Sequence, residues 1–138
     1  MKKDDCIFCK IANGEIPSDT VYEDDKYRAI LDLSPAVKGH TLIIPKDHFD
    51  DLLSADEETL ESVLKLAQCI GAAQLKALKC DGFNVVQNNG EAAGQTVHHL
   101  HVHIIPRYKD GAKMVAWEQL KSEPEEQQKI AGEIKAAL

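Results

Sequence analysis

The sequence predicts an α+β fold: an antiparallel sheet covered by one long helix and short flanking helices. Three observations carry this expectation. Residues Val21 to Asp32 read as a hairpin, with a short strand around Val21-Tyr22, a tight turn at Asp24-Asp25 and a strand from Tyr27 to Leu33. Three further segments, His40 to Pro45, Phe83 to Gln87 and Val97 to Pro106, have the length and apolar content of strands. Between the third and fourth strands, Leu60, Val63, Leu64, Ala67, Ile70, Leu75 and Leu78 recur at helical spacing.

The remaining elements follow in chain order. Asp5 to Asn13 suits a short helix with Ile7, Phe8 and Ile11 on one side, broken by Gly14 and Pro17. Ser34-Pro35 with Gly39 makes a loop before the His40 strand. Ser54-Ala55-Asp56-Glu57 has the capping-box pattern for the start of the long helix, which ends near Lys79. Asn88 to Gly94 is a polar, glycine-bearing loop. Pro124 to Leu138 reads as a terminal amphipathic helix. No repeat or low-complexity segment interrupts the chain. The expected organisation is a single domain over residues 1–138, with a core over 1–110 and a C-terminal extension over 111–138.

The 138 residues are enough for a real core, and a net charge of −7 removes the basic footprint of a nonspecific nucleic-acid binder. A small anionic ligand is still compatible with that charge, because a few local donors can outweigh the global field. No apolar run approaches the length of a membrane span, and Met1 to Cys6 leads into no signal-peptide core. The expectation is a cytoplasmic protein without a membrane partner. In that setting the four cysteines read as thiols or metal ligands rather than disulfides.

The chemistry concentrates in one stretch. His99, His101 and His103 alternate with Leu100, Val102 and Ile104. On an extended strand this alternation puts three imidazoles on one face and three aliphatic side chains on the other. Neutral imidazole is a base, a nucleophile or a metal ligand near neutral pH. All six histidines lie at positions 40, 48, 98, 99, 101 and 103, and chance clustering on a surface does not explain the alternation.

Other residues each have a functional and a plain reading. Cys6 and Cys9 form a Cys-x-x-Cys pair, which is half a zinc site; two buried thiols in an amphipathic helix is the alternative. His48 and one triad histidine could complete the ligand set. Cys69 and Cys80 read as core or semi-buried thiols. The loop from Asn88 to Thr96, with Gln95 beside three histidines, suits a phosphate cradle, although most glycine loops are only turns. Lys46 and Arg107 are candidate anion partners, with surface solvation the plainer reading. Asp32 could accept both hydroxyls of a ribose, or simply start the turn before Ser34-Pro35. Phe8 and Ile11 could stack on a base, or belong to the core.

Taken together these residues resemble a known family. His99-Leu100-His101-Val102-His103-Ile104-Ile105 is similar to the His-φ-His-φ-His-φ-φ signature of the histidine triad (HIT) superfamily, with φ apolar. The resemblance runs from about Cys6 to Arg107. It includes Ile7 to Ile11, Asp32 to Pro35, Gly39 to His48 and Gly94 to Val97, and it points to the bacterial Hit branch, close to the Hint hydrolases.

The resemblance implies a fold in which two subunits pair their sheets across a homodimer. It implies hydrolysis at the α-phosphorus of a purine nucleotide, such as a nucleoside phosphoramidate. His101 resembles the nucleophile, His103 the phosphate-contacting third member, His99 the first member and His40 an auxiliary histidine. Asn88, Gln95 and Thr96 resemble phosphate-loop contacts, Asp32 and Leu33 ribose contacts, and Phe8, Ile11, Ile30 and Leu42 a base pocket. Cys6, Cys9, His48 and His99 match the ligands of a structural Zn2+ found in some members. His98 departs from the pattern of close relatives and is expected on the face opposite His99, without a catalytic role. Two other classes stay open: a metallohydrolase with His99, His101 and His103 on one catalytic metal, and a nucleotide-sensing binding protein with little turnover.

Overall fold

The computed structural model describes residues 1–111 and 118–138. In chain order the elements are α1 (Ile7–Ala12), β1 (Thr20–Glu23), β2 (Tyr27–Leu31), β3 (Thr41–Pro45), α2 (Glu57–Leu78), β4 (Gly82–Val86), β5 (Val102–Arg107) and α3 (Pro124–Ala137). The five strands form one antiparallel sheet in the order β1-β2-β3-β5-β4. The strand carrying His103 thus lies between β3 and β4, with His103 opposite Leu42 on one side and Val86 on the other.

Both faces of the sheet are covered, which explains why β3 is buried at every position. On one face Tyr27, Ala29, Ile43, Val102 and Ile104 pack against Val63, Leu66, Ala67 and Ile70 of α2. On the other, Ile30, Leu42 and Ile44 receive Ile11 and Ala12 of α1, with Phe8 packed alongside. The pleat sends successive side chains to opposite faces, so Leu42 and its cross-strand partner His103 point towards α1.

Several boundaries differ from the sequence expectation, each for a local reason. β2 stops at Leu31 because Asp32 turns the chain: its carboxylate accepts the Ser34 N–H at 2.8 Å. Asp56 rather than Ser54 caps α2, accepting the Thr59 N–H at 2.8 Å. Ser54 belongs to a preceding 3₁₀ turn closed reciprocally with Asp51. Lys79 ends α2 in the left-handed conformation. Only part of the long apolar pattern of α2 is buried: Leu60, Leu64, Leu75 and Leu78 are exposed, and the buried set includes Thr59 and Gln74 instead. Cys80 is buried as expected, but Cys69 is exposed on the solvent side of α2.

The largest correction concerns the histidine strand. β5 starts at Val102, not Val97. Upstream, the Leu100 N–H donates to the Phe49 carbonyl at 2.6 Å and the His99 N–H to the Val97 carbonyl at 2.9 Å, which pulls residues 97–101 off the sheet ladder. α3 forms where expected and buries none of its residues within this chain. The expected extension over 111–138 includes residues 112–117, which lie outside the described residues. Among the described residues, no helix is long and apolar enough to cross a membrane.

Ile70 is 4% exposed at the centre of the α2–sheet contact. Ile70→Ala should cost about 2–5 kcal/mol of folding free energy by removing buried methyl groups and leaving a cavity. Urea unfolding with an unchanged slope checks this, and a loss below about 1 kcal/mol would contradict the packing.

Candidate functional site

Three imidazoles meet where β3, β5 and the segment before β5 converge. His40 Nε2 lies 2.8 Å from His103 Nδ1, and the rings of His101 and His103 have centroids 5.0 Å apart. The hydrogen bonds fix the proton on each ring. The Ala36 N–H donates to His40 Nδ1 at 3.0 Å, so a neutral His40 carries its proton on Nε2. That proton goes to His103 Nδ1, which leaves the His103 proton on Nε2. His101 Nδ1 donates to the His99 carbonyl at 2.6 Å, which leaves a lone pair on His101 Nε2. The site therefore offers a nucleophilic nitrogen beside an N–H donor.

Burial disfavours the charged form of these rings. It pushes the pKa of His40 and His101 below the ordinary imidazole value of 6.5. Burial, reinforced by the neighbouring His101 and His40 rings, holds His103 down to about 4. Asp32 Oδ2 stands 3.6 Å from His40 Nε2, beyond a direct hydrogen bond but close enough to favour its proton.

His99 faces elsewhere. Its Nδ1 lies 3.3 Å from Cys6 Sγ and 3.5 Å from Cys9 Sγ, and its Nε2 donates to the Pro45 carbonyl at 2.9 Å. His48 Nδ1 approaches Cys9 Sγ at 3.4 Å, while its Nε2 lies 2.8 Å from Asp50 Oδ1. The four ligand atoms of Cys6, Cys9, His48 and His99 all lie within 4.8 Å of one another. A tetrahedral zinc with ordinary bond lengths separates sulfur and nitrogen ligands by roughly 3.5 Å. The donor set and its spacing thus fit zinc, with all four positions filled by protein. Backbone N–H groups of Lys3 and Cys9 point at the Cys9 and Cys6 sulfurs at 3.3 and 3.4 Å, as suits thiolates.

The expected single histidine face is therefore split. His101 and His103 join His40, whereas His99 joins the cysteines. Among the described residues, the groups placed to share an ion are Cys6, Cys9, His48 and His99, and Asp32, His40 and His103. Neither contains His101, and both His99 ring nitrogens face other partners, so the structure does not gather His99, His101 and His103 around one metal.

Phe8 links the two clusters to an apolar cleft. Its ring meets His101 edge-on at 5.0 Å and His99 at 6.1 Å, and it packs with Ile11, Ile30 and Leu42. Next to it lies a cleft of about 330 Å³ whose walls include Ile11, Ile16, Ile30 and Leu33. Leu33 is almost fully exposed at its rim. Asp32 is the turn former of its plain reading, and its carboxylate also lies beside His40. Asn88 is half-buried and Thr96 is exposed in the glycine loop. Gln95 is buried, and its side-chain nitrogen is committed to the carbonyls of Asp50 at 2.7 Å and Val97 at 3.1 Å. It therefore braces the loop. Lys46 pairs with Glu23, and the Arg107 Nε–H donates to Asn84. His98 is exposed and takes no part in either cluster.

The sequence calls for a backbone carbonyl to fix the His101 tautomer but does not name the supporting groups. The carbonyls of Pro45 and His99 and the N–H of Ala36 set ring tautomers, and no side chain announces them. Gln74, buried on α2, donates to the carbonyls of Gly39 at 3.1 Å and Ile104 at 3.0 Å, bracing the neighbours of His40 and His103 through the sheet. A polar residue on an otherwise apolar helical face was the available signal.

The HIT domain family model matches residues 13–110. This chain belongs to the HIT family. The HIT protein is 41% identical over 138 residues to Protein hit of Bacillus subtilis, covering 98% of this chain and 95% of the relative. It is 45% identical over 105 residues to adenylylsulfatase HINT3 of Arabidopsis thaliana, covering 76% of this chain and 53% of that longer protein. Among solved structures, a Streptococcus mutans protein superposes with a TM-score of 0.93 at 40% identity, covering 99% of this chain and 87% of the other. A Sulfolobus tokodaii protein described as a hypothetical histidine triad nucleotide-binding protein superposes at 0.74 and 40% identity, covering 94% and 88%. A zinc-bound histidine triad family protein of Mycobacterium smegmatis superposes at 0.75 and 33% identity, covering 97% and 98%.

The lowered value of His103 has a definite pH consequence. Its folded value of about 4 lies below the ordinary 6.5. Between these values the unfolded chain takes up a proton that the folded HIT protein refuses, so stability falls as pH drops from 6.5 towards 4. His103→Asn should flatten this slope in denaturant titrations run across the same window. An unchanged slope in the variant would contradict the assignment.

Proposed function

We propose that this HIT protein hydrolyses purine nucleotides at the α-phosphorus, of the nucleoside phosphoramidate or dinucleoside polyphosphate type, through a nucleotidyl-His101 intermediate. The observation that carries this reading is the fixed placement of protons, which leaves a lone pair on His101 Nε2 and an N–H on His103 Nε2, with Phe8 at the His101 edge packed against the cluster that holds the cleft residues Ile11 and Ile30. The adenylylsulfatase name of one relative and the nucleotide-binding description of a structural neighbour support it.

In this reading the base occupies the cleft walled by Ile11 and Ile30, with Phe8 and Leu42 packed behind them, and the ribose hydroxyls approach Asp32 and Leu33. His103 Nε2–H, with Asn88, Thr96 and the loop that Gln95 braces, receives the α-phosphate. Placed donors of this kind can each lower the barrier by roughly 3–4 kcal/mol. The His101 Nε2 lone pair forms the bond to phosphorus as the bond to the leaving group breaks, and the leaving group departs with the bonding pair, an amine taking up a proton from solvent as it goes. The His101 ring gains positive charge, which the short bond to the His99 carbonyl stabilises. Water then attacks phosphorus and gives up a proton to solvent, the nitrogen–phosphorus bond breaks, and its electron pair returns to Nε2. Two displacements suit water, a poor nucleophile. His99 acts through its carbonyl, and His40 fixes the His103 proton.

Cys6, Cys9, His48 and His99 would hold one structural zinc, which when bound cross-links α1, the segment after β3 and the segment before β5. The same reading takes the catalytic unit as 1–110 with 111–138 as an extension, working as a cytoplasmic homodimer.

His101→Ala should bind nucleoside monophosphate within a few-fold of the parent affinity and lose at least about 10³-fold in turnover. Mass spectrometry of quenched parent enzyme should locate the nucleotidyl group on His101. Near-normal turnover of the variant, or an adduct on another residue, sinks the mechanism. Purified protein should contain one zinc per chain, and its removal by a chelator should lower the melting temperature. A metal-free protein with an unaltered melt would remove zinc from the reading.

A further inference from the structure

A metal-binding histidine needs its second ring nitrogen held, because that bond decides which nitrogen faces the ion and how strongly it donates. The two histidines of the sulfur cluster are held differently. His99 is fully buried and gives its Nε2 proton to a neutral partner, the Pro45 carbonyl. His48 presents the same nitrogen to the carboxylate of Asp50 at 2.8 Å, with Nδ1 towards Cys9. The His48 side chain is 6% exposed and the Asp50 side chain 58%, so Asp50 approaches from solvent and buttresses a ring that is already enclosed.

Lys3 completes the arrangement. Its ammonium lies 3.0 Å from the Asp50 oxygen that faces His48, and its backbone N–H points at Cys9 Sγ at 3.3 Å. Two thiolates balance a divalent ion, and the Lys3 ammonium balances the Asp50 carboxylate. The whole group is then neutral, which lowers the cost of holding it in a half-buried place.

We propose that Asp50 is the positioning residue of the metal centre: it locks His48 in the Nδ1-ligating tautomer and strengthens its donation to the ion, with Lys3 as its counter-charge. This rests on the zinc reading above. The sequence offers no cue, since Asp50 is one of several acids between Asp47 and Asp56.

The test measures zinc affinity by competition with a chromophoric chelator on the full chain, with circular dichroism confirming the fold of each variant. Asp50→Ala should weaken zinc by about 10- to 100-fold, and Asp50→Asn, which keeps an acceptor oxygen, should weaken it less. The cobalt(II) form of Asp50→Ala should show shifted ligand-field bands. Asp47→Asn removes a nearby exposed charge that touches no ligand, and it should leave affinity within about two-fold. In a His48→Ala background, Asp50→Ala should cost less than about two-fold more, because the ring it serves is gone. If the parent binds zinc and Asp50→Ala binds it equally well, the inference fails while the metal site stands. An equal loss in Asp47→Asn, or an undiminished Asp50→Ala loss without His48, reduces the effect to general charge and also overturns it. A parent chain that binds no zinc overturns the metal reading and this inference together.

Discussion

The organisation of the site depends on one residue facing two ways. The ring of His99 points into the sulfur cluster, while its carbonyl accepts the Nδ1 proton of His101 at 2.6 Å. A residue in a regular ladder would give that carbonyl to a neighbouring strand. His99 is free to give it to a side chain because residues 97–101 have left the sheet. The short bond thus ties the placement of His101 to whatever holds His99, and the His40–His101–His103 cluster and the Cys6–Cys9–His48–His99 cluster share one stretch of backbone.

The surrounding elements serve both halves at once. α1 supplies Cys9 to one cluster and, through Phe8, an aromatic edge to His101 in the other. Its first turn is closed by Cys6, whose sulfur accepts the Cys9 N–H, so the cap of the helix is also a ligand candidate. Gln95 joins the glycine loop to the backbone carbonyl of Asp50. From the opposite face, Gln74 grips the carbonyls of Gly39 and Ile104. The rings sit in a setting with few degrees of freedom, and burial favours their neutral form, which donates and accepts in a fixed sense.

Much of the fold was legible because burial leaves a compositional trace. β3 is apolar throughout since both of its faces are covered, and the core side of α2 shows as Val63, Ala67 and Ile70 at helical spacing. The site residues were legible too, since His40, His48, Cys6, Cys9 and the triad are chemically conspicuous. Their partition was not. An alternating His-x-His-x-His pattern suits a continuous strand, and nothing in it says that Leu100 will bond to Phe49 instead of the ladder. The helix cap moved from Ser54 to Asp56 because Asp51 claimed Ser54 for a turn of its own. Leu60, Leu64, Leu75 and Leu78 extend the apolar stripe of α2 beyond what the sheet covers, and periodicity alone does not say where coverage stops.

The four sulfur and nitrogen donors are unequally sheltered: Cys9 and His99 are buried, whereas Cys6 and His48 border a cleft of about 390 Å³. An ion seated there would face that cleft through Cys6 and His48. A competing chelator would have to displace Cys6 or His48 first, while the inner two donors kept their hold. Exchange would then be governed by the rate of that first detachment more than by the final equilibrium, so a centre of moderate affinity could still be long-lived.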